Sequence, residues 1–145
     1  MARVKITMPE HFTFRTNIPV RITDVNYGGH VGNDAILSII HEARLHFLTA
    51  AGVKELDPGH TSLIMADAAL VFKGEGFHGD VFTISVTATE FSAFGFELYY
   101  RITSDRDGRS FLIAEAKTGM LCFDYTVRKL ARLPEGWEER LSQAK

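Results

Sequence analysis

Two rhythms of apolar and polar residues divide this chain. From Phe12 to Thr23 the pattern is extended: Phe14, Ile18, Val20 and Ile22 are apolar, the last three alternating with Pro19 and Arg21. From Asp34 to Ala51 the period lengthens to that of an α-helix. Ile36, Ile40, Ala43, Phe47 and Ala50 fall on one face, widened by Leu37 and Leu48. Asn33 is the expected N-cap, Asp34 suits the positive helix start, and Gly52 suits the position just past the end. Arg44 falls inside the apolar arc, where its stem is expected to pack on the core while its guanidinium reaches the surface. From Ser62 onward the period is two, predicting strands over Ser62–Phe72, Val81–Phe91, Phe94–Ser104 and Ser110–Asp124. Ser92-Ala93 makes a tight connection, and the Asp-Gly within Asp105–Arg109 signals a hairpin. Trp137 to Ala144 reads as a short terminal helix.

The order is therefore strand, long helix, then four strands joined by short connections that imply antiparallel pairing. One helix cannot bury its own apolar face. An α+β fold with an antiparallel sheet wrapped around that helix is the economical solution.

Composition narrows the class. The 145 residues suit one domain spanning 1–145, and 46% hydrophobic with 23% charged residues is ordinary globular content. No linker, repeat or low-complexity tract interrupts it. A net charge of −2 without a basic run argues against a nucleic-acid partner. No apolar run approaches the ~20 residues of a membrane span, and the N-terminal stretch lacks the apolar segment of a signal peptide. Cys122, the one cysteine, excludes an intrachain disulfide and fits a reducing compartment. The expectation is a soluble, cytoplasmic protein.

Candidate chemistry concentrates in one place. Gly74–Gly79 matches GxGxxG, but an alternating strand follows it rather than a helix, so these glycines are read as a turn. The six histidines show no metal-binding spacing, and neither metal nor cofactor is expected. Cys122 reads as a small buried hydrophobe, and no G-x-S-x-G elbow is present. The segment from Asp24 to Asn33, by contrast, gathers Asp24, Asn26, His30 and Asn33 immediately before the helix. Unpaired N–H groups at a helix start can stabilise an oxyanion, a nearby carboxylate can act as base or nucleophile, and an amide or imidazole can orient water. Glu42, about two helical turns on, is a further carboxylate, and the plain alternative for it is an i,i+4 pair with His46. An Asx-rich turn with a helix cap is the equally plain alternative for the loop.

The run Asp24-x-Asn26-x-x-Gly29-His30-Val31-x-Asn33, followed by Glu42-Ala43-Arg44, resembles the hotdog-fold acyl-CoA thioesterases of the 4-hydroxybenzoyl-CoA thioesterase type over about residues 12 to 125. The resemblance implies a long central helix wrapped by a curved five-stranded antiparallel sheet. It implies a homodimer or dimer of dimers with sites at the subunit interface, and an acyl-CoA or acyl-carrier-protein substrate. Carried over residue by residue, it assigns catalytic places to Asp24, Asn26, His30 and Glu42, and an oxyanion-donor place to the backbone amide of Asn33. The second acidic position of the motif is Asn26 here, and an amide cannot be a base or a carboxylate nucleophile. Asp24 or Glu42 would then supply the carboxylate, with Asp67 ranked behind them. A weakly active or inactive acyl-CoA-binding module is the alternative, and a hotdog dehydratase or hydratase the third reading. Lys73, Arg101, Arg106, Arg109 and Arg128 are available for the CoA phosphates.

Overall fold

The computed structural model describes residues 1–145. Its elements are β1 (Phe14–Pro19), a 3-10 turn (Ile22–Asp24), α1 (Asn33–Ala51), β2 (Ser62–Phe72), β3 (Val81–Thr89), β4 (Gly95–Arg106), β5 (Arg109–Asp124), β6 (Lys129–Leu130) and α2 (Trp137–Gln143). The strands form one antiparallel sheet in the order β1-β3-β4-β5-β2, with β6 pairing β5 at Phe123 and Asp124. The five long strands match the expected sheet, and β6 is an addition too short for any periodicity to announce. The expected Phe12–Thr23 strand shortens to β1 because the chain turns at Ile22–Asp24.

Alternation works as the sequence pattern requires. Along β3 and β4 the inward positions Phe82, Ile84, Val86, Leu98, Tyr100 and Ile102 are fully buried against α1. Phe47 meets Phe14 of β1 edge to face at 5.6 Å. The β4–β5 hairpin turns at Asp107-Gly108, both with positive φ (52° and 75°), the conformation that a two-residue turn needs to match strand twist. Gly52 stops α1 in the left-handed conformation, and Arg140 of α2 donates to its carbonyl at 2.9 Å.

Three expectations about α1 are corrected. Gly32, not Asn33, is the N-cap, and it makes no side-chain cap bond. Gly32 is the last extended residue (φ −71°, ψ 151°) and its carbonyl accepts the first helical bond, from the Ile36 N–H, so Asn33 already lies inside the helix. On the buried face Ala51 replaces the expected Ala50, Ile39 joins it, and Leu37, expected to widen it, is exposed instead. Arg44 does not reach solvent. It is 5% exposed, and its Nε donates to Glu55 Oε1 at 2.6 Å while Nη1 reaches the Tyr100 hydroxyl at 3.5 Å. Tyr100 in turn bonds Thr118 at 2.9 Å, and His41 holds the second oxygen of Glu55 at 2.7 Å. Burial opposes the charge on Arg44, but Tyr100 and Glu55 outweigh it and raise its pKa above the ordinary arginine value.

Candidate active site

The Asp24–Asn33 segment is a small closed turn. Val25 and Val31 form a bridge, Asn26 N–H donates to the His30 carbonyl at 2.9 Å, and Gly32 N–H donates to the Asp24 carbonyl at 3.0 Å. Asn26 Oδ1 accepts the Gly28 N–H at 2.9 Å, the Asx turn its residue type favours. His30 Nδ1 lies 3.2 Å from the Val31 carbonyl. In the tautomer that donates there, Nε2 is left as an acceptor. A Cβ on Gly28 would stand 3.2 Å from Asn26 Oδ1 and 3.4 Å from His30 Nε2, so both side chains converge on that glycine.

The turn delivers the chain into α1 with its first backbone donors free. The first helical bond runs from Ile36 N–H to the Gly32 carbonyl, leaving the amides of Asn33, Asp34 and Ala35 without an intrahelical acceptor. A pocket of about 240 Å³ opens beside them, lined by His30, Asn33, Ile36, Phe72, Glu75 and Ile113 among others. Its far wall is the β2–β3 connection, fastened to the turn by Val31 N–H donating to the Gly76 carbonyl at 2.7 Å. Gly76 permits that approach: a Cβ there would lie 2.3 Å from Phe82 Cζ and 3.1 Å from Val31 Cγ2. The GxGxxG-like run is thus a turn, but one that walls the pocket.

The structure divides the four candidate side chains and the candidate amide. His30 and the Asn33 amide share the 240 Å³ pocket, with Asn26 converging on His30. Asp24 is buried and committed to holding the 3-10 turn. Its Oδ2 accepts the Arg21 N–H at 2.8 Å, and Oδ1 pairs with Arg21 Nη2 at 3.3 Å. Glu42 faces a different cleft, about 370 Å³ in volume, between β1 and α1. There it pairs with His46 Nε2 at 3.3 Å, and His46 Nδ1 meets Thr16 Oγ1 at 2.6 Å. Glu42 sits roughly 13.5 Å along the helix axis from Asn33, at 1.5 Å per residue. No glutamate side chain spans that distance within one chain.

The remaining candidates are committed elsewhere. Asp67, at a bulge in β2, takes hydrogen bonds from Lys117 at 2.8 Å and Gly119 N–H at 3.0 Å; the Lys117 bond lowers its pKa below the usual aspartate value. Cys122 is buried, which pushes its thiol pKa up to about 11. Arg106 is held by Asp80 at 2.7 Å, and Arg101 pairs with Glu115 at 3.5 Å. Lys73 follows Phe72 of the pocket lining directly in the chain, is exposed and makes no ion pair. One lining residue, Glu75, carries no signal of its role in the sequence. It sits in the glycine-rich turn and is legible there only as part of a connector.

A helix laid in the curve of a five-strand antiparallel sheet, with a pocket at the helix start, defines the hotdog fold. The chain belongs to the thioesterase-like superfamily, whose family model matches residues 20–141. A 1,4-dihydroxy-2-naphthoyl-CoA hydrolase from Synechocystis is 27% identical over 129 residues, covering 87% of this chain and 92% of that protein. The crystal structure of a 1,4-dihydroxy-2-naphthoyl-CoA thioesterase from Synechocystis superposes with a TM-score of 0.78 at 26% identity, covering 88% of this chain and 94% of that one. A mutant 4-hydroxybenzoyl-CoA thioesterase, solved with 4-hydroxybenzoyl-CoA bound, also gives 0.78 at 16% identity, covering 89% and 98%, and shares the fold.

Proposed function

We propose that this protein is an acyl-CoA thioesterase that hydrolyses its substrate in the 240 Å³ pocket at the start of α1. The observation that carries the reading is the meeting of unpaired helix-start amides, the Asn26–His30 pair and an apolar wall of Ile36, Phe72 and Ile113. The thioester carbonyl oxygen takes a hydrogen bond from the Asn33 N–H, which strengthens as that oxygen becomes an oxyanion. Asn26 and His30 orient the attacking water. The C–S bond then breaks, the thiolate leaves and is protonated, and the free acid departs. A thiolate leaves readily, so the site needs little acid assistance. The apolar wall takes the acyl group. Its size and the aromatic edge of Phe72 favour an aryl group, in line with the aromatic acyl-CoA named for the Synechocystis relatives. Lys73, next in the chain to Phe72 of that wall, would meet the CoA phosphates.

The same reading includes a homodimer. β2 is an edge strand of 11 residues whose free side has no partner within the chain, and pairing it with a second copy would cover that edge.

The test is thiol release from acetyl-, palmitoyl- and benzoyl-CoA, run beside calorimetric binding. Release that is fastest on benzoyl-CoA is the expected result. Binding without release would leave an acyl-CoA-binding module, consistent with the amide of Asn26, and would overturn hydrolysis. Sedimentation of the free protein as a monomer at micromolar concentration would overturn the dimer.

A further inference from the structure

The hydrolytic reading leaves one component unfilled: a carboxylate to activate water. Asp24 is buried under Arg21, Asn26 is an amide, and Glu42 lies in the other cleft. Among the residues lining the pocket with Asn33 and His30, one carboxylate remains, Glu75. Its main chain is held still while its exposed side chain is left free. The Glu75 carbonyl accepts Arg106 Nη2 at 2.6 Å, and the next carbonyl, Gly76, accepts Val31 N–H at 2.7 Å. Arg106 is itself fixed. Its Nε donates to Asp80 Oδ1 at 3.1 Å, its Nη2 to Asp80 Oδ2 at 2.7 Å, and its guanidinium lies between the rings of Phe77 and Phe111 at 5.0 and 5.1 Å. The Glu75 carboxylate makes no hydrogen bond or ion pair in the chain. These bonds make the segment carrying Glu75 rigid, and a base is effective when rigid neighbours carry it.

We infer that Glu75 is the general base of the thioesterase site, taking a proton from the water that attacks the thioester carbonyl held at the Asn33 amide. The step balances within the hydrolysis. Water's O–H proton passes to the Glu75 carboxylate as its oxygen bonds to the carbonyl carbon. Collapse of the tetrahedral oxyanion breaks the C–S bond, and the proton on Glu75 passes to the departing thiolate, leaving free acid and CoA thiol. This inference rests on the thioesterase reading, and the experiment separates the two.

Wild type, Glu75→Gln and Glu75→Asp are compared on whichever of acetyl-, palmitoyl- and benzoyl-CoA the wild type hydrolyses fastest, with thermal midpoints recorded for each. A positioned general base contributes about 10²–10⁴-fold. E75Q should lose at least about a hundredfold in kcat with KM within a few-fold and an unshifted midpoint. E75D should recover part of the rate. If the wild type hydrolyses one of these esters and E75Q stays within threefold of it, Glu75 is not the base and the thioesterase reading stands. If the wild type releases no thiol from any of them, both fall together.

Discussion

Glu55→Ala is the perturbation that most directly tests how the core tolerates its one buried cation. Arg44 is 5% exposed and depends on Glu55 at 2.6 Å, with the Tyr100 hydroxyl a longer contact at 3.5 Å. Removing Glu55 leaves a desolvated guanidinium with that single weak acceptor. Breaking one side of such a pair costs about 3–5 kcal/mol. In a chain of this length 1 kcal/mol moves the midpoint by about 3 °C, so E55A should melt about 9–15 °C lower. Arg44→Met should cost far less, about 1–2 kcal/mol, because an apolar side chain of similar reach suits the site. Both former partners also keep other bonds: Glu55 retains His41 at 2.7 Å and Tyr100 retains Thr118 at 2.9 Å. Urea unfolding of both variants at pH 7, with m-values compared, measures the asymmetry. If E55A lies within about 1 kcal/mol of wild type, or R44M costs more than E55A, Arg44 escapes to solvent and the buried pair is not what ties the helix to the connection that follows it.

Three further outcomes follow from the same structure. Gly76→Ala should cost about 1–3 kcal/mol by overpacking, since its Cβ would meet Phe82 at 2.3 Å; a thermal melt within 1 °C of wild type would refute it. Burial works against the charge of Asp80, but Arg106 and the Phe77 N–H outweigh it and hold its pKa below the ordinary aspartate value. A depressed folded pKa gives stability that is present above the unfolded value near ~4 and lost as pH falls through the folded one, so Asp80→Asn should flatten the loss of stability below about pH 4 while lowering stability at pH 7; an unchanged slope in urea titrations between pH 5 and 2.5 would contradict this. Cys122, with its thiol pKa pushed up to about 11 by burial, should react with a thiol reagent at pH 8 only as fast as the protein unfolds; stoichiometric labelling of the native state within seconds would show it accessible.

How far these features can be read from the sequence depends on how many elements each involves. The strand over Phe94–Ser104 and the 3.6 period of Ile36, Ile40, Ala43 and Phe47 are properties of single segments, and both appear in the structure as the pattern implies, whereas Ser62–Phe72 forms a strand whose burial does not alternate. Arg44 departs from its expected place because its partner Glu55 lies in an irregular connection, where no period says what a side chain faces. Asp24 reads as free for the same reason, although Arg21, three residues earlier, is a cation within capping reach. The motif draws Asp24, Asn26, His30 and Glu42 into one site, but helix rise alone separates Glu42 from Asn33, and that separation follows from residue numbers and the helix repeat. Glu75 is hidden by its neighbours: glycines on both sides read as a connector, and only Gly76 against Phe82 reveals why the connector has to be bare there.

The pocket's lining also fixes when it can exist. His30 and Asn33 belong to an early stretch of chain, Phe72 and Glu75 to the middle, and Ile113 to a strand made late. The Asp24–Asn33 turn carries Asn26, His30 and the Asn33 amide by itself, but the pocket wall needs β2, the β2–β3 connection and β5, so loop closure across most of the molecule precedes a complete pocket. On a ribosome the helix and its turn would emerge chemically silent. Reactivity would switch on only when the β4–β5 hairpin folds back and seats Ile113, which makes thiol release a stringent reporter of completed folding rather than of secondary structure.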